Sequence, residues 1–385
     1  MPDPSSIHSE SLVVDGHADT AQRFVDEGWD FSSPLGTGML SLDSARAGNL
    51  AAEFFAIWVE PREWRGRYVN RTLQLIDGVY EQLRRHPTTM RLGLSPDDIL
   101  AAHRDRVFCV LLGIEGGHSI ESDLGLLRLY HRLGVRYMTL TWTNTNEWAD
   151  SSGDLEDPGI THHNGLTPFG RDVIQEMNRL GMMVDVSHVS DATLAHVLET
   201  TRAPIIASHS SARALTNSPR NLTDAQLRAI AANNGVVMVN FYSSFIDETW
   251  RKAWKATQAQ RDPLYAAAAA PFRARGEPVP YSVPLAVDRD FYAQHLQSTL
   301  PRPPLRSLID HIDHVAQVAG IDYVGLGSDF DGFALLPAGL ESAADLPKIS
   351  AALIERGYTV PQLQKLLGGN LLRVFGDVQS CAPKE

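Results

Sequence analysis

The residues in this chain that could do chemistry together are histidines and carboxylates placed just after apolar runs. His17 and Asp19 close LVVDGHAD, Glu115 and His118 follow VFCVLLGIEGG, and His188 and His209 end VDVSH and IIASH. Asp329 stands in GLGSDFDG. In an H-x-D triplet on a strand, residues i and i+2 share a side, so the imidazole and carboxylate of His17 and Asp19 can reach one cation. Glu115 is a carboxylate at the rim of an apolar strand, where it needs a partner or a metal. A lone histidine at a strand end is more often a hydrogen-bonded core residue than a ligand. Two such histidines, an H-x-D and a glutamate at equivalent ends are harder to explain as packing. Three imidazoles and two carboxylates suit a borderline divalent ion, zinc above all. Two carboxylates leave net positive charge on two such ions, which lowers the pKa of a water shared between them and yields a hydroxide near neutral pH.

A carboxylate opposite such a water can take its proton and pass it to a leaving group. Asp329 fits that role, with Asp331 as the alternative. Arg220, in SARALTNSPRN beyond His209, could clamp a substrate carboxylate with its planar fork. His118 is a further candidate to line the site. The remaining histidines fall in expected loops and helices.

Something must bring these residues together, and the apolar runs supply it. Eight of them begin at Leu12, Ala51, Val107, Val135, Met182, Pro204, Gly235 and Tyr323. They alternate with amphipathic stretches that open on capping residues, such as Ser190-Asp191 and Thr223-Asp224. Strands apolar almost throughout are buried on both faces, as in a parallel sheet covered by helices. Eight of them predict a closed (β/α)₈ barrel, whose active sites lie at the C-terminal strand ends. An open doubly wound sheet would not explain polar residues at one end of nearly every run. The expectation is a single metal-dependent hydrolase barrel domain of the α/β class over 1–385. A helical and loop insertion over 247–304 lies between strands seven and eight, as a lid, an interface or a surface decoration. Its tryptophans are candidate anchors for a homodimer.

Composition narrows the classes. The chain has 385 residues, 43% hydrophobic and 21% charged, which excludes wholesale disorder and coiled coil. With 34 Lys and Arg against 46 Asp and Glu the net charge is −12, which disfavours nucleic acid as the main partner. No apolar stretch approaches the roughly 18 residues of a membrane span. The N-terminal MPDPSSIHSESLVVDG has neither a charged n-region nor an apolar h-region. A soluble chain is expected, cytoplasmic as the sequence stands and exported if a leader has been removed. Cys109 and Cys381 do not form a disulfide framework.

These motifs resemble the membrane (renal) dipeptidase family, the M19 metallopeptidases of amidohydrolase-type barrels. The matching segments are VVDGHAD, GIEGGHSI, GVRYMTLTWTN, MVDVSH, ASHSSARAL with NSPRNL, GVVMVNFY, GLGSDFDG and GGNLLRVF, from about residue 12 to 376. The resemblance implies two Zn²⁺ per chain. His17 and Asp19 would hold one, His188 and His209 the other, with Glu115 bridging them and sharing in catalysis. It implies Arg220 on the substrate carboxylate, Asp329 as proton shuttle, a dipeptide substrate, and tolerance of a D-residue at its C-terminal position.

The segment TLTWTN departs from the family's TLTH, placing Trp142 where a substrate-contacting histidine is usual. An indole N–H donates one hydrogen bond and carries no charge. Oxyanion stabilisation would then rest on zinc, or on Asn144 or Asn146, and losing one donor can cost roughly 10²–10³ in turnover. Trp142 therefore keeps a second reading open, a binuclear amidohydrolase acting on another amide, a lactone or an N-acyl amino acid. A catalytically silent zinc protein is a third, which the complete set of ligand positions and Asp329 argue against.

Overall fold

A computed structural model describes residues 4–383. Nine parallel strands run through it: β1 Val13–Ala18, β2 Leu50–Trp58, β3 Met90–Leu92, β4 Phe108–Glu115, β5 Val135–Thr139, β6 Met183–Asp185, β7 Ile206–Ala207, β8 Val236–Val239 and β9 Val324–Leu326. Their order is β2-β1-β9-β8-β7-β6-β5-β4-β3, and a further β2–β4 pairing closes the ring. Eight strands thus form the expected (β/α)₈ barrel, one within each of the eight apolar runs. The ninth, β3, runs beside the start of β4, with Met90–Leu92 against Phe108–Val110. Nothing in the sequence announced it, because three residues with one buried carry no period.

Closure explains the composition of the strands. Phe54, Leu111, Tyr137, Met183, Ile206 and Met238 come from strands all round the ring and meet in one buried cluster. Side chains from opposite sides of a ring can meet only inside it, so these fill the barrel core. Leu371, Val374 and Phe375 of the helix Asn370–Cys381 join the same cluster. The strands' other faces pack under helices in a larger cluster that includes Phe55, Val110, Val173, Leu227 and Ile312. Ser95, Thr167, Ser190 and Thr223 each accept a backbone N–H of the helix they precede, which fixes where four of those helices begin.

Between β8 and β9, the 247–304 segment makes three α-helices, Glu248–Ala256, Gln258–Ala274 and Ser282–Phe291. Trp250 and Trp254 pack with Phe291 and Tyr292 into a small core of their own, 2% and 7% exposed respectively. This corrects the expectation that these tryptophans anchor a dimer interface: they are consumed in holding the segment together. Among the described residues no helix is long and apolar enough to cross a membrane.

Candidate metal centre

The C-terminal strand ends converge as the sequence suggested. Glu115, last residue of β4, lies among three imidazoles: its Oε1 is 2.8 Å from His188 Nε2 and 3.4 Å from His209 Nε2, and its Oε2 is 3.6 Å from His17 Nε2. His17 Nε2 is also 3.6 Å from Asp19 Oδ2. His188 Nε2 and His209 Nε2 are 2.9 Å apart. Two overlapping groups have ligand atoms within 4.8 Å of one another, His17 with Glu115 and His209, and His17 with Asp19 and Asp329. The side chains of Asp19, Glu115 and all three histidines are at most 8% exposed.

Local backbone and hydrogen bonds aim these groups. His188 and Asp329 turn off their strands with φ of 67° and 61°. Such left-handed residues other than glycine are uncommon and tend to gather at functional sites. The Asp329 amide donates to the His17 carbonyl at 2.9 Å, tying the last strand end to the first. Tyr137 Oη donates to the Gly16 carbonyl and lies 2.8 Å from His17 Nδ1. With its hydrogen committed to Gly16, the phenol accepts Nδ1–H and leaves Nε2 with a free lone pair. Tyr137 fits there because Gly113 has no side chain; a Cβ at that position would lie 2.0 Å from the ring. Ser208 repeats the device, donating to Asp185 Oδ2 at 2.6 Å while its Oγ faces His209 Nδ1 at 2.7 Å. Asp185 also accepts from Thr139 Oγ1 and from the amides of Ser187 and Ser208.

The electrostatics favour positive charge at this cluster. Burial lowers His209 well below the ordinary imidazole value, and lowers His188 to about 4. Both are therefore neutral ligands-in-waiting at pH 7. Burial also opposes charge on His17, but Tyr137, Glu115 and Asp19 outweigh it and the net direction is upward. A positive charge is favoured where His17 Nε2 meets the carboxylates. That Nε2 is buried and has no hydrogen-bond partner. Two neutral imidazoles, clustered carboxylates and the buried, unpartnered Nε2 of His17 are a donor set that fits divalent metal.

Of the other expected residues, Asp329 and Arg220 line one cavity of about 200 Å³ with Asp19, Glu115, His188 and Trp142. Burial, then Asp19 and Glu115 against the pull of His17, pushes Asp329 up to about 8. Asn240 Nδ2 donates to its Oδ2 at 2.9 Å. Arg220 is buried, donates from Nη2 to the His209 carbonyl at 3.1 Å, and keeps Nε without a partner. Trp142 packs on Trp58 with ring centroids 4.8 Å apart and faces His188 at 6.4 Å.

Four candidates lie elsewhere. Asp331 is spent on structure, accepting from Thr20 Oγ1 and the Met39 amide. Asn144 is not among the residues lining this cavity. Asn146 caps its own loop, donating to Leu140 and accepting from the amides of Trp148 and Ala149. His118 bonds the Val59 carbonyl and meets the Tyr68 ring edge-on.

The sequence reading missed the rest of the wall: Trp58, Tyr242, Phe245 and Phe333, and also Tyr281, Leu285 and Asp288 from the 247–304 segment. The aromatic pair Phe241-Tyr242 after β8 was a visible signal. Tyr281 and Asp288 gave none, since only the packing of that segment over the strand ends brings them in.

The chain matches the family described as "Membrane dipeptidase (Peptidase family M19)" over residues 3–385. It is 36% identical over 353 residues to Dipeptidase aclJ of Aspergillus oryzae, spanning 90% of this chain and 71% of that one. Among solved structures it is similar to the probable dipeptidase PvdM from Pseudomonas aeruginosa, at 27% identity and a TM-score of 0.81 over 98% of both chains. It is also similar to a metallo peptidase from Rhodobacter sphaeroides liganded with a phosphinate mimic of the dipeptide L-Ala-D-Ala. That likeness has 26% identity and a TM-score of 0.74, covering 96% of this chain and 100% of the other.

Proposed function

Because the chain belongs to the membrane dipeptidase family, peptidase family M19, we propose that it is a zinc-dependent dipeptidase of free dipeptides, L-Xaa-D-Xaa included. One observation carries the reading: Asp19, Glu115 and His188 of a cluster suited to divalent metal, a cationic clamp and a proton-holding carboxyl line the same small cavity. In this proposal His17 and Asp19 would hold one ion and His188 and His209 the other, with Glu115 shared between them. A bound zinc pair supplies Lewis acidity that acidifies water and polarises the amide carbonyl.

The protein's own groups do the rest. Arg220 is anchored by the His209 carbonyl and held up in the cavity beside the Phe245 ring, its cation 5.3 Å from the ring centroid. A cation already stripped of water binds a carboxylate more strongly than an exposed one. Asn240 and Asp19 both hydrogen-bond the Asp329 carboxyl and fix its position, and in its ionised form it would take the proton of the attacking water and hand it to the departing amine nitrogen. The raised affinity of Asp329 for a proton suits that delivery. Trp58, Trp142 and Tyr281 form an aromatic wall on one side. The D-residue tolerance draws on the phosphinate mimic of L-Ala-D-Ala held by the Rhodobacter sphaeroides metallo peptidase. The 247–304 segment is taken as an insertion within a single barrel domain.

The test is hydrolysis of L-L and L-D dipeptides by zinc-loaded protein, beside N-acylated and C-amidated controls. Cleavage confined to substrates with both termini free is the expected result. Arg220→Ala should then lose at least tenfold in kcat/KM on free dipeptides, on the scale of one charge-assisted pair. Turnover of C-amidated or N-acyl substrates that ignores Arg220→Ala would instead favour the neutral-amide reading that Trp142 raises.

A further inference from the structure

The aromatic wall of the catalytic cavity has a second space behind it. A cavity of about 620 Å³ shares Trp58, Trp142 and Tyr281 with the first. Its remaining surface is largely apolar, with Trp64, Tyr265, Ala266, Ala269, Val279 and Val283 among its lining. The rings that separate the two spaces are themselves packed, Trp58 lying 4.8 Å from Trp142 and 5.3 Å from Tyr281 between centroids. Of the seven charged residues that line the outer cavity, four form two ion pairs, Arg71 with Asp26 at 2.8 Å and Arg273 with Glu63 at 3.3 Å, while Glu60 accepts the amides of Arg62 and Glu63 and Asp262 accepts from Gln258. Trp58 is 6% exposed, and its indole nitrogen is buried without a hydrogen-bond partner. A buried donor left unmade is costly, and a ligand carbonyl or ring face would satisfy it.

The two ends of the catalytic cavity differ in chemistry. Arg220, Tyr242, Phe245 and Phe333 form one end, with the Tyr242 ring 4.9 Å from both Phe245 and Phe333. The Trp58–Trp142–Tyr281 partition forms another. A dipeptide whose carboxylate is held at Arg220 therefore directs its first residue away from that clamp and toward the partition.

From this we infer that the outer cavity is a specificity subsite for a large apolar, preferably aromatic, side chain on the first residue of the substrate, admitted past Trp142. The subsite rests on the dipeptidase reading and deepens it. Aromatic walls with few free charges favour rings over small or ionic side chains, because apolar area leaves water and rings stack on rings. The helix Gln258–Ala274 forms its far side through Tyr265, Ala266 and Ala269. The 247–304 segment thereby contributes to both spaces, lining the outer cavity through this helix and the catalytic cavity through Tyr281, Leu285 and Asp288.

The experiment measures kcat/KM of the zinc-loaded full chain for Ala-D-Ala, Leu-D-Ala, Phe-D-Ala and Trp-D-Ala. The ratio of Trp-first to Ala-first is expected to be at least tenfold. Ala266→Trp fills the cavity from an exposed helix position and should lower that ratio at least tenfold; Val283→Trp fills it from another element. Thermal melting of each variant confirms that it is folded. A flat series in the wild type, or a preference for aromatic first residues that survives both fillings, overturns the subsite and leaves the dipeptidase reading intact. No hydrolysis of any free dipeptide overturns the dipeptidase reading and the subsite with it.

Discussion

His17 and His209 present Nε2 to the cluster because Nδ1 is already engaged, by Tyr137 Oη at 2.8 Å and Ser208 Oγ at 2.7 Å. Partners of this kind fix the tautomer and the plane of a ligating imidazole, and their loss typically weakens metal binding about 10–100-fold. Tyr137→Phe is the cleaner test, since the ring still fills the space that Gly113 leaves and only the hydroxyl goes. Zinc affinity, read by competition with a chelator, should fall within that range while the fold is retained; unchanged affinity would mean the phenol only packs. The sequence showed the presenting residues and hid their supports for one reason. His17, Glu115, His188 and His209 each follow an apolar run, where a polar side chain has no packing explanation. Tyr137 sits inside such a run, VRYMT, where an aromatic reads as core, which it also is. Ser208 is a small polar residue next to the histidine it supports, and Asp185 stands mid-motif in MVDVSH. Asn144 shows the opposite error: nearness along the chain suggested a role that the loop after β5 does not give it.

At the scale of elements, the loop after β7 that carries Arg220 is held from behind by the helix Leu305–Ala319. The Ala212 amide donates to His311 Nδ1 at 3.0 Å, and Thr216 Oγ1 lies 3.4 Å from Nε2. Accepting at Nδ1 requires that nitrogen to be unprotonated. Burial first, then repulsion from His314, lowers His311 to about 4, against the pull of the Ile246 carbonyl and Asp310. Protonation is therefore easier in the unfolded chain, and the unfolded state binds more protons below its own value of about 6.5. The stabilisation is complete above that value and lost as pH falls toward about 4, a total of roughly 3 kcal/mol. Urea unfolding at pH 7 and pH 4.5 should show His311→Leu less stable than wild type at pH 7 but less sensitive to acid. An identical acid slope in both proteins would refute it. Continuous apolarity made the eight barrel strands legible as elements. The helix Gln258–Ala274 was obscured because Pro263 and Pro271 lie inside it, and proline reads as an interruption.

For the molecule as a whole, the candidate metal centre is a cross-link. Its groups come from the ends of β1, β4, β6, β7 and β9, nearly the full circuit of the barrel, and from positions between 17 and 329 in the chain. A cation there contacts only the folded state, since the unfolded chain cannot gather these side chains. Its binding free energy is then added to folding, about 4 kcal/mol at a free concentration a thousandfold above Kd. In a chain this long a kcal/mol is spread over a large unfolding entropy, so the expected rise in Tm is only about 5 °C. Melting after chelation should fall by about that amount, and added zinc should restore it. Glu115→Gln keeps the shape of the bridging side chain but removes its charge, so its Tm should barely respond to either treatment. Barrel insensitivity to chelator in the wild type would mean that the cluster holds no ion in the resting protein. The net charge of −12 sharpens the comparison, because a divalent cation also relieves the self-repulsion of an acidic fold. Magnesium at equal ionic strength supplies that general relief without suiting an imidazole-rich site. The zinc increment that magnesium fails to reproduce is thus the part belonging to the centre itself.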